Sequence, residues 1–522
     1  MAEMERRLSE FFNAETAERA GFVSRSCYDD PVITGLACDS RDVKRGNIFF
    51  ALGGLHTDGS LYIEDAVERG AAAVVYENKT VGKKTSIPYL LVKNSRIAMS
   101  PVAASFYNFP SRRLFVTGVT GTEGKSTTVY LIFQMLRLLG KKTGFISTVQ
   151  HCLGNEVLSN IEHQTTPEAP VVQRLLYEMA ENGCEYAVVE ASSHGLSPRT
   201  NRLGDVDFFA AVMTNVRHEH LEFHGTWEQY RDDKANLFRS LGRYPQTSVF
   251  PFGIINADDE SCDYFVEAAK CKTYQYSTGG RIADLELCAY ESGADGSWYL
   301  ASTGDDETAF DFRDRLPGAF NAPNVLAALL AVSSLTNRPV REITYLVVNL
   351  KPVRGRMSAV NKGQPFEVLI DYAHTPSSFL AIYPPLRQRL NKTGGRIISL
   401  FGSAGERDTQ KRSLQGKIAA DYSDIIIITD EDPRGEEPMA ICEEIERGVT
   451  QSKNFFSREE NLFLITDRKA AIRKGLSLAR AGDLVLLLGK GHENSIIYAD
   501  HAMPYDEFDE AEKALGESGN FL

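Results

Sequence analysis

The run Gly118-Val-Thr-Gly121-Thr-Glu-Gly124-Lys125-Ser126-Thr127 has the residue types of a phosphate-binding loop. Glycines let backbone N–H groups close around phosphate oxygens, and a following helix adds positive potential at its N-terminus. Lys125 is placed to reach the β- and γ-phosphates, and the Ser126 hydroxyl to bind a divalent cation. Val119 stands where the common GxxxxGK[ST] pattern has its first Gly, so this loop is a variant. Glu190 closes the apolar run Tyr186–Glu190 (YAVVE) and supplies a carboxylate near such a loop. His218, His220 and His224 make an HxHxxxH spacing, with His194 upstream. No Cys or carboxylate completes a standard zinc pattern there, so zinc is not expected, and His218 and His224 read as surface or packing residues. Taken alone, Lys234 in Tyr230-Arg-Asp-Asp-Lys234-Ala-Asn-Leu-Phe238 reads as an exposed lysine on a charged helix, and Arg356 and Lys411 as solvated charges. Asn321 and Asp371 taken alone read as a helix N-terminal Asn and a strand-end Asp.

These residues need a scaffold, and the apolar pattern supplies one. Leu114–Val119 is a buried-strand signal, and apolar periodicity from Thr127 to Leu139 predicts a helix after the Gly-rich turn. Strand, turn and helix in that order are the unit of a nucleotide-binding sheet. Further strands are predicted at Tyr186–Glu190, Phe208–Thr214 and Phe252–Asn256, a β-rich extension over Arg281–Phe312, and a helix at Ala319–Ser334. Upstream, Asn47–Leu52 and Ala71–Tyr76 read as strands around a helix at Tyr62–Arg69, and Tyr107–Arg113 (YNFPSRR) interrupts the pattern. Beyond Lys351–Gly355, strands at Phe366–Ile370, Arg396–Phe401, Ile425–Thr429 and Leu484–Leu488 alternate with helices. The expected α/β fold therefore has three domains: a small α/β unit over 1–112, a central P-loop parallel-sheet unit over 113–352, and a Rossmann-like unit over 353–522.

The composition agrees. A chain of 522 residues at roughly 150 per domain fits three or four domains. Hydrophobic residues at 43% and charged residues at 24% exclude disorder, collagen-like fibres and coiled-coil rods. The net charge of −13 argues against nucleic-acid and membrane partners. The eight cysteines lie far apart without a CxxC pair, which fits a reduced interior. The start MAEMERRLSEFFNAE lacks an apolar signal core, and no apolar run approaches the roughly 20 residues of a membrane span. A cytoplasmic monomer is the expectation.

The loop variant resembles the ATP loop of the Mur ligases, and further matches run along nearly the whole chain. They include Asp39-Ser40-Arg41, Asp58-Gly59, Thr165-Thr166-Pro167, Glu190-Ala-Ser192-Ser193-His194, Thr214-Asn215 through His220-Leu221, Asn256-Ala-Asp258-Asp259, Pro317-Gly318-Ala-Phe-Asn321 and Gly355-Arg356-Met357. Asp371-Tyr372-Ala373-His374-Thr375-Pro376, Gly402 through Arg412, Asp432-Pro433-Arg434 and Gly489-Lys490-Gly491-His492-Glu493 follow. The set is similar to the tripeptide synthetases of that family (MurE type), which use ATP to join an amino acid to UDP-N-acetylmuramoyl-L-alanyl-D-glutamate. The resemblance implies ATP contacts at Gly121, Thr122, Gly124, Lys125, Ser126, Thr127, Asn321, Arg356 and Asp371. It implies Mg²⁺ ligation by Ser126, Glu190, His220 and Lys234, the last as a CO₂-derived carbamate, with Lys125, Lys234 and His220 catalytic. It implies contacts to the UDP substrate from Ser40, Thr165, Thr166, Ser193 and either Arg199 or Arg202. For the incoming amino acid it implies Arg407, Asp432, Arg434, Gly489 and Glu493.

The sequence departs from the family pattern at Glu123, Ser126, Arg217-His218-Glu219 and Ser60, and Asp432 stands where the family's DNPR has Asn. Asn donates to a second carboxylate, whereas Asp only accepts and repels one. The expectation is therefore a basic diamino acid, lysine or ornithine ahead of meso-diaminopimelate, with Asp432 paired to Arg434 as the structural alternative. A folylpolyglutamate synthetase shares the central chemistry but is not expected to carry the Asp39-Ser40-Arg41 or Asp432-Pro433-Arg434 segments. A P-loop switch or transport ATPase needs no large C-terminal α/β unit.

Overall fold

A computed structural model describes residues 4–53, 58–77, 87–160, 164–217, 221–243, 250–293, 296–304 and 308–517. The chain packs as two compact units: Met1–Cys288 with Ala301–Phe310 and Pro323–Leu346, and Ala289–Leu300 with Asp311–Ala322 and Val347–Leu522.

Two large sheets and a two-stranded one (Arg6–Arg7 with Val32–Ile33) are described in the first unit. The smaller of the two large sheets has the strand order Phe22–Arg25, Tyr89–Val92, Ala73–Tyr76, Asn47–Phe50, Gly35–Ala37. Its last four strands are parallel, and Phe22–Arg25 runs antiparallel at the edge. The run AAAVVY and the run NIFFAL thus form adjacent strands, and Ile63–Glu68 is the helix between them. The helix Ser95–Phe106 buries nearly its whole length against one face. Its three serines and the internal Pro101 interrupt the apolar residues, so no amphipathic stripe announced it.

In the larger sheet Thr143–Ile146, Tyr186–Glu190, Phe115–Thr120, Ala210–Met213, Phe252–Asn256 and Lys272–Ser277 lie side by side and parallel. Tyr186–Glu190, Ala210–Met213 and Phe252–Asn256 are buried throughout and apolar at their inner positions, as strands covered on both faces must be, whereas the outer strand Lys272–Ser277 is polar and only partly buried. The phosphate-loop strand Phe115–Thr120 sits between the strand ending in Glu190 and the strand leading to Thr214. Gly118 lets the helix Trp227–Ser240 lie directly on this strand: a Cβ there would sit 2.5 Å from Leu237 Cδ1 and 2.9 Å from Phe208. The stretch read as a β-rich extension carries strands Leu285–Gly293, Gly296–Thr303 and Phe310–Arg313.

The second unit holds a sheet of order Ser358–Ala359, Glu367–Asp371, Leu484–Leu488, Ile397–Phe401, Ile425–Ile428, Leu462–Leu464. All pairs but the first are parallel. Helices Pro376–Asn391, Gln410–Tyr422 and Pro438–Val449 pack one core, while Arg468–Leu478 and Glu507–Glu517 pack the other. This is the doubly wound arrangement expected from the alternation of runs. All eight cysteines are free thiols. Among the described residues no helix is long and apolar enough to cross a membrane.

Candidate active site

The phosphate loop is built as its residue types require. The helix Lys125–Leu138 starts earlier than the apolar periodicity placed it, because Lys125 and Ser126 form its polar first turn. Gly124 is its N-cap with φ +79, and a Cβ there would meet Asn324 Oδ1 at 2.3 Å. Gly121 approaches Thr214 so closely that a Cβ would fall 1.9 Å from its Oγ1. Thr214-Asn215 braces the loop from the neighbouring strand. The Thr214 hydroxyl donates to the Glu123 carbonyl (2.6 Å), and the Glu123 and Thr122 amides donate to Asn215 Oδ1 and O (3.0 and 2.8 Å). Lys125 Nζ folds onto the Thr122 carbonyl at 2.7 Å. Thr127, next to Ser126, is half-buried in the same first turn.

Ser126 Oγ lies 2.9 Å from both oxygens of Glu190, whose side chain also accepts from the Thr148 amide at 2.8 Å. Glu190 is only 1% exposed, yet no cationic side chain lies among these partners. A buried carboxylate beside a hydroxyl at the mouth of a phosphate loop is the oxygen donor set that hard divalent cations take. Among the described residues no group of three or more His, Cys, Asp or Glu side chains could hold a metal. His218 and His220 lie outside the described residues.

Lys234 is not the exposed lysine that its charged helix suggested. It is 1% exposed, its Nζ donates to the Gly121 carbonyl at 2.5 Å, and it stands 4.4 Å over the Tyr230 ring. Tyr230 in turn shares a 3.1 Å hydrogen bond with the Thr122 hydroxyl. The helix's charged face thus points at the loop, an arrangement that periodicity alone assigns to solvent.

His224 is a packing residue, not a surface one: it is buried against the Phe223 and Tyr230 rings, and both its ring nitrogens are also engaged. Gln229 Nε2 donates to Asp233 Oδ1 (3.0 Å), Asp233 Oδ2 faces His224 Nδ1 (2.8 Å), and His224 Nε2 faces Ser193 Oγ (3.0 Å). Ser193, Asp233 and His224 are all buried. The HxHxxxH spacing drew attention to His224 but gave no hint of its partners, because only the fold closes the gap between Ser193 and His224.

The residues expected to meet the UDP substrate separate into fixed and free ones. Thr166 Oγ1 donates to the Glu190 carbonyl (2.9 Å) and accepts from Ser192, so Thr166 is structural at its hydroxyl, while Thr165 is half-buried. Arg202 is held by the Thr166 carbonyl (2.8 Å) and by Glu168 Oε1 (2.9 Å), which also takes Arg96 at 3.0 Å. Arg199 is half-exposed, stacked 4.4 Å over Phe223 and only 4.0 Å from Asp233. Ser40 is buried in the 3-10 turn Ser40–Asp42, which Asp39 caps by accepting from the Arg41 amide and side chain.

In the second unit, Asn321 Nδ2 donates to the Pro317 carbonyl at 2.8 Å. Asp371 accepts the Met357 and Ala373 amides, each at 2.7 Å. Burial pushes the Asp371 carboxyl above its usual range, against the pull of Arg356 and those two amides. The Arg356 guanidinium stacks 4.9 Å over Tyr372, and Lys411 Nζ donates to the His374 carbonyl at 3.2 Å.

Asp432 does not pair with Arg434. Its Oδ1 accepts from Lys490 Nζ (2.8 Å) and the Ile497 amide (2.9 Å), and Lys490 also donates to Glu493 Oε2 (2.5 Å). Lys490 is fully buried; burial pulls its pKa down, but Glu493 and Asp432 outweigh that and hold it above its ordinary value. Glu493 Oε1 accepts from Tyr372 (3.2 Å). Arg434 adopts φ +53, with its amide on the Ile497 carbonyl, and Gly489 adopts φ +103, with its amide on the Asp371 carbonyl. Arg407 is exposed. Lys490 stood inside a quoted motif without a role. Its three-residue spacing from Glu493 was the available signal.

Three family descriptions match in chain order: the Mur ligase family catalytic domain over residues 32–107, the Mur ligase middle domain over 119–332, and the Mur ligase glutamate ligase domain over 355–491. The chain is 50% identical over 499 residues to a UDP-N-acetylmuramyl-tripeptide synthetase of Treponema denticola, covering 94% of this chain and 93% of that protein. It is 35% identical over 490 residues to a UDP-N-acetylmuramoyl-L-alanyl-D-glutamate–2,6-diaminopimelate ligase of Geobacillus kaustophilus, covering 94% and 96%. Among solved structures, a ligase of that same description superposes with TM-score 0.61 at 27% identity, covering 93% of this chain and 95% of the other.

Proposed function

Because the chain belongs to the Mur ligase family, in its tripeptide-synthetase branch, we propose that it uses ATP to add the third amino acid to UDP-N-acetylmuramoyl-L-alanyl-D-glutamate in peptidoglycan precursor synthesis. The observation that carries the reading is the Ser126 hydroxyl set 2.9 Å from both oxygens of a buried Glu190 at the mouth of a braced phosphate loop.

The loop amides and the helix N-terminus bind the triphosphate, and Lys125 exchanges the Thr122 carbonyl for the β- and γ-phosphates. Mg²⁺ fits the oxygens of Ser126 and Glu190, with His220 and a carbamate on Lys234 as the further ligands the motifs imply. Bound there, it neutralises the repulsion between the substrate carboxylate and the γ-phosphate. The D-glutamate side-chain carboxylate attacks the γ-phosphorus, ADP leaves, and an acyl phosphate forms. The amine of the incoming amino acid attacks the acyl carbon, and phosphate leaves from the tetrahedral intermediate as the amine gives up its proton. Positioning the two reactants supplies most of the rate.

The domain roles follow from the same reading: UDP binding over 1–112, ATP binding over 113–352 and amino-acid binding over 353–522. Ser40, Thr165, Thr166 and Ser193 serve the UDP substrate. Arg199 is its contacting arginine, and Arg202, already satisfied by Thr166 and Glu168, is a positioning group. Asn321, Arg356 and Asp371 are nucleotide contacts of the second unit. The protein works as a cytoplasmic monomer.

The amino acid is a basic one. Glu431, Asp432 and Glu493 match Lys490, Arg434 and Arg407 in number at this end of the second unit, and Asp432, which accepts where the family's Asn would donate, tips the choice towards an incoming ammonium over a second carboxylate. Lys490 moderates the repulsion from Asp432, which keeps the margin for lysine or ornithine over meso-diaminopimelate small. An acceptor screen tests both levels. Purified protein with ATP, Mg²⁺ and the UDP-muramoyl dipeptide should release phosphate only when a diamino acid is present. Acceptor-independent release would reject the ligase, and a clear kcat/KM preference for meso-diaminopimelate would reject the charge argument.

A further inference from the structure

We propose that Arg468, with Glu507, is the positioning residue that sets the geometry of the amino-acid pocket. The proposal rests on the reading above that Asp432, Arg434, Gly489 and Glu493 receive the incoming amino acid. Those residues come from two segments, Glu431–Arg434 and Gly489–Glu493, that leave the ends of the strands Ile425–Ile428 and Leu484–Leu488. The two strands are not neighbours. Ile397–Phe401 lies between them in the sheet, so no ladder hydrogen bond can fix one end relative to the other.

Arg468 does what the ladder cannot. Its NH1 donates to the Asp430 carbonyl at 3.0 Å and its NH2 to the Leu488 carbonyl at 2.8 Å. These are the last carbonyls before each pocket segment. The opposite side of the guanidinium is gripped by Glu507, Nε to Oε2 at 2.9 Å and NH2 to Oε1 at 2.6 Å, and Tyr505 donates to the same carboxylate. Arg468 and Glu507 side chains are both 0% exposed. A buried ion pair often contributes no more stability than apolar residues of the same volume, so stability alone gives little reason for this one. A planar fork that holds two carbonyls and a carboxylate in one plane supplies a reason, because an ammonium cannot span all three. On the pocket side of the same two segments, Lys490 reaches Asp432 at 2.8 Å. That contact forms only if the strand ends keep their spacing.

The test is a comparison of KM values in Arg468→Lys, which keeps the charge and loses the fork. L-lysine, L-ornithine and meso-diaminopimelate are offered separately, and the acceptor preferred by the wild type is followed. KM for that acceptor should rise about tenfold, the loss of a buried charge-assisted hydrogen bond. KM for ATP and for the UDP-muramoyl dipeptide should stay within about twofold. Glu507→Gln should move the acceptor KM in the same direction by less, and it decides the matter by the same split if Arg468→Lys does not fold. An unchanged acceptor KM in folded enzyme, or equal changes in all three KM values, overturns the proposal. Arg434→Ala separates it from its premise. If that variant leaves the acceptor KM untouched, the pocket reading fails. If it raises the acceptor KM while Arg468→Lys does not, the positioning role alone fails.

Discussion

Replacing Lys234 with Met separates two jobs that one nitrogen performs. As an amine, Lys234 donates to the Gly121 carbonyl at 2.5 Å and sits 4.4 Å over Tyr230. A carbamate keeps one N–H on that nitrogen, so the bond to Gly121 survives while two oxygens are added for a cation. Lys234→Met removes both functions with little change in volume. The stranded Gly121 carbonyl should cost about 1–3 kcal/mol of stability, because it is buried and has lost its donor. The missing oxygens should cost roughly 3–4 kcal/mol of transition-state stabilisation, about 100- to 1000-fold in kcat. Phosphate release coupled to tripeptide formation reads the second loss, and thermal unfolding reads the first. Added acetate or formate should restore part of the activity and none of the stability, since a carboxylate replaces the oxygens but not the tethered N–H. If stability falls and no carboxylic acid rescues turnover, the amine bond to Gly121 is the whole role of Lys234 and the carbamate is refuted.

Lys125→Ala should abolish ligation while leaving thermal stability nearly intact, because among the described residues its side chain is tethered by the single hydrogen bond to the Thr122 carbonyl; near-normal turnover would sink the phosphate-loop assignment. Arg199→Ala should raise KM for the UDP substrate more than tenfold and leave KM for ATP unchanged, whereas Arg202→Ala should lower both affinity and stability. Asp430 titrates abnormally: burial raises its carboxyl from 3.8 to about 6, against the Tyr498 hydrogen bond and the Arg468 charge. A raised folded-state pKa means that this group favours folding below pH 3.8 and that the advantage is lost as pH rises through about 6. The stabilising effect of Asp430→Asn in urea unfolding should accordingly grow by about 1–2 kcal/mol between pH 5 and pH 8. A pH-independent difference would mean that Asp430 is ionised normally.

The fold was legible wherever strands are buried on both faces. Tyr186–Glu190, Phe252–Asn256 and Leu484–Leu488 fall where their apolar runs place them, because such strands permit no polar interruption. Thr143–Ile146 (TGFI) is as buried, but its Thr-Gly opening interrupts the apolar signal and keeps it from standing out. In the site, the loop was readable because strand, turn and helix follow one another in the chain, and Glu190, 64 positions from Ser126, because it ends an apolar run of its own that pairs in parallel with the loop strand. The partners of His224, Asp432 and Arg468 were not. Ser193 and His224 lie 31 positions apart, Asp432 and Lys490 58 apart, and Arg468 and Glu507 39 apart. Hydrophobic periodicity also misassigned Lys234, since a helix face that covers a phosphate loop is as polar as one that faces water.

Gly118 ties the chemistry to sequence drift. The Leu237 methyl and the Phe208 ring occupy the space that a side chain at 118 would need. Any larger residue there would lift the helix Trp227–Ser240 from the sheet, and Tyr230, Asp233 and Lys234 would move with it as one body. Descendants of this chain that gain a methyl group at 118 should therefore carry a smaller residue at 237 or 208. Positions 118, 208 and 237, none of which touches a reactant, should evolve as a linked triplet.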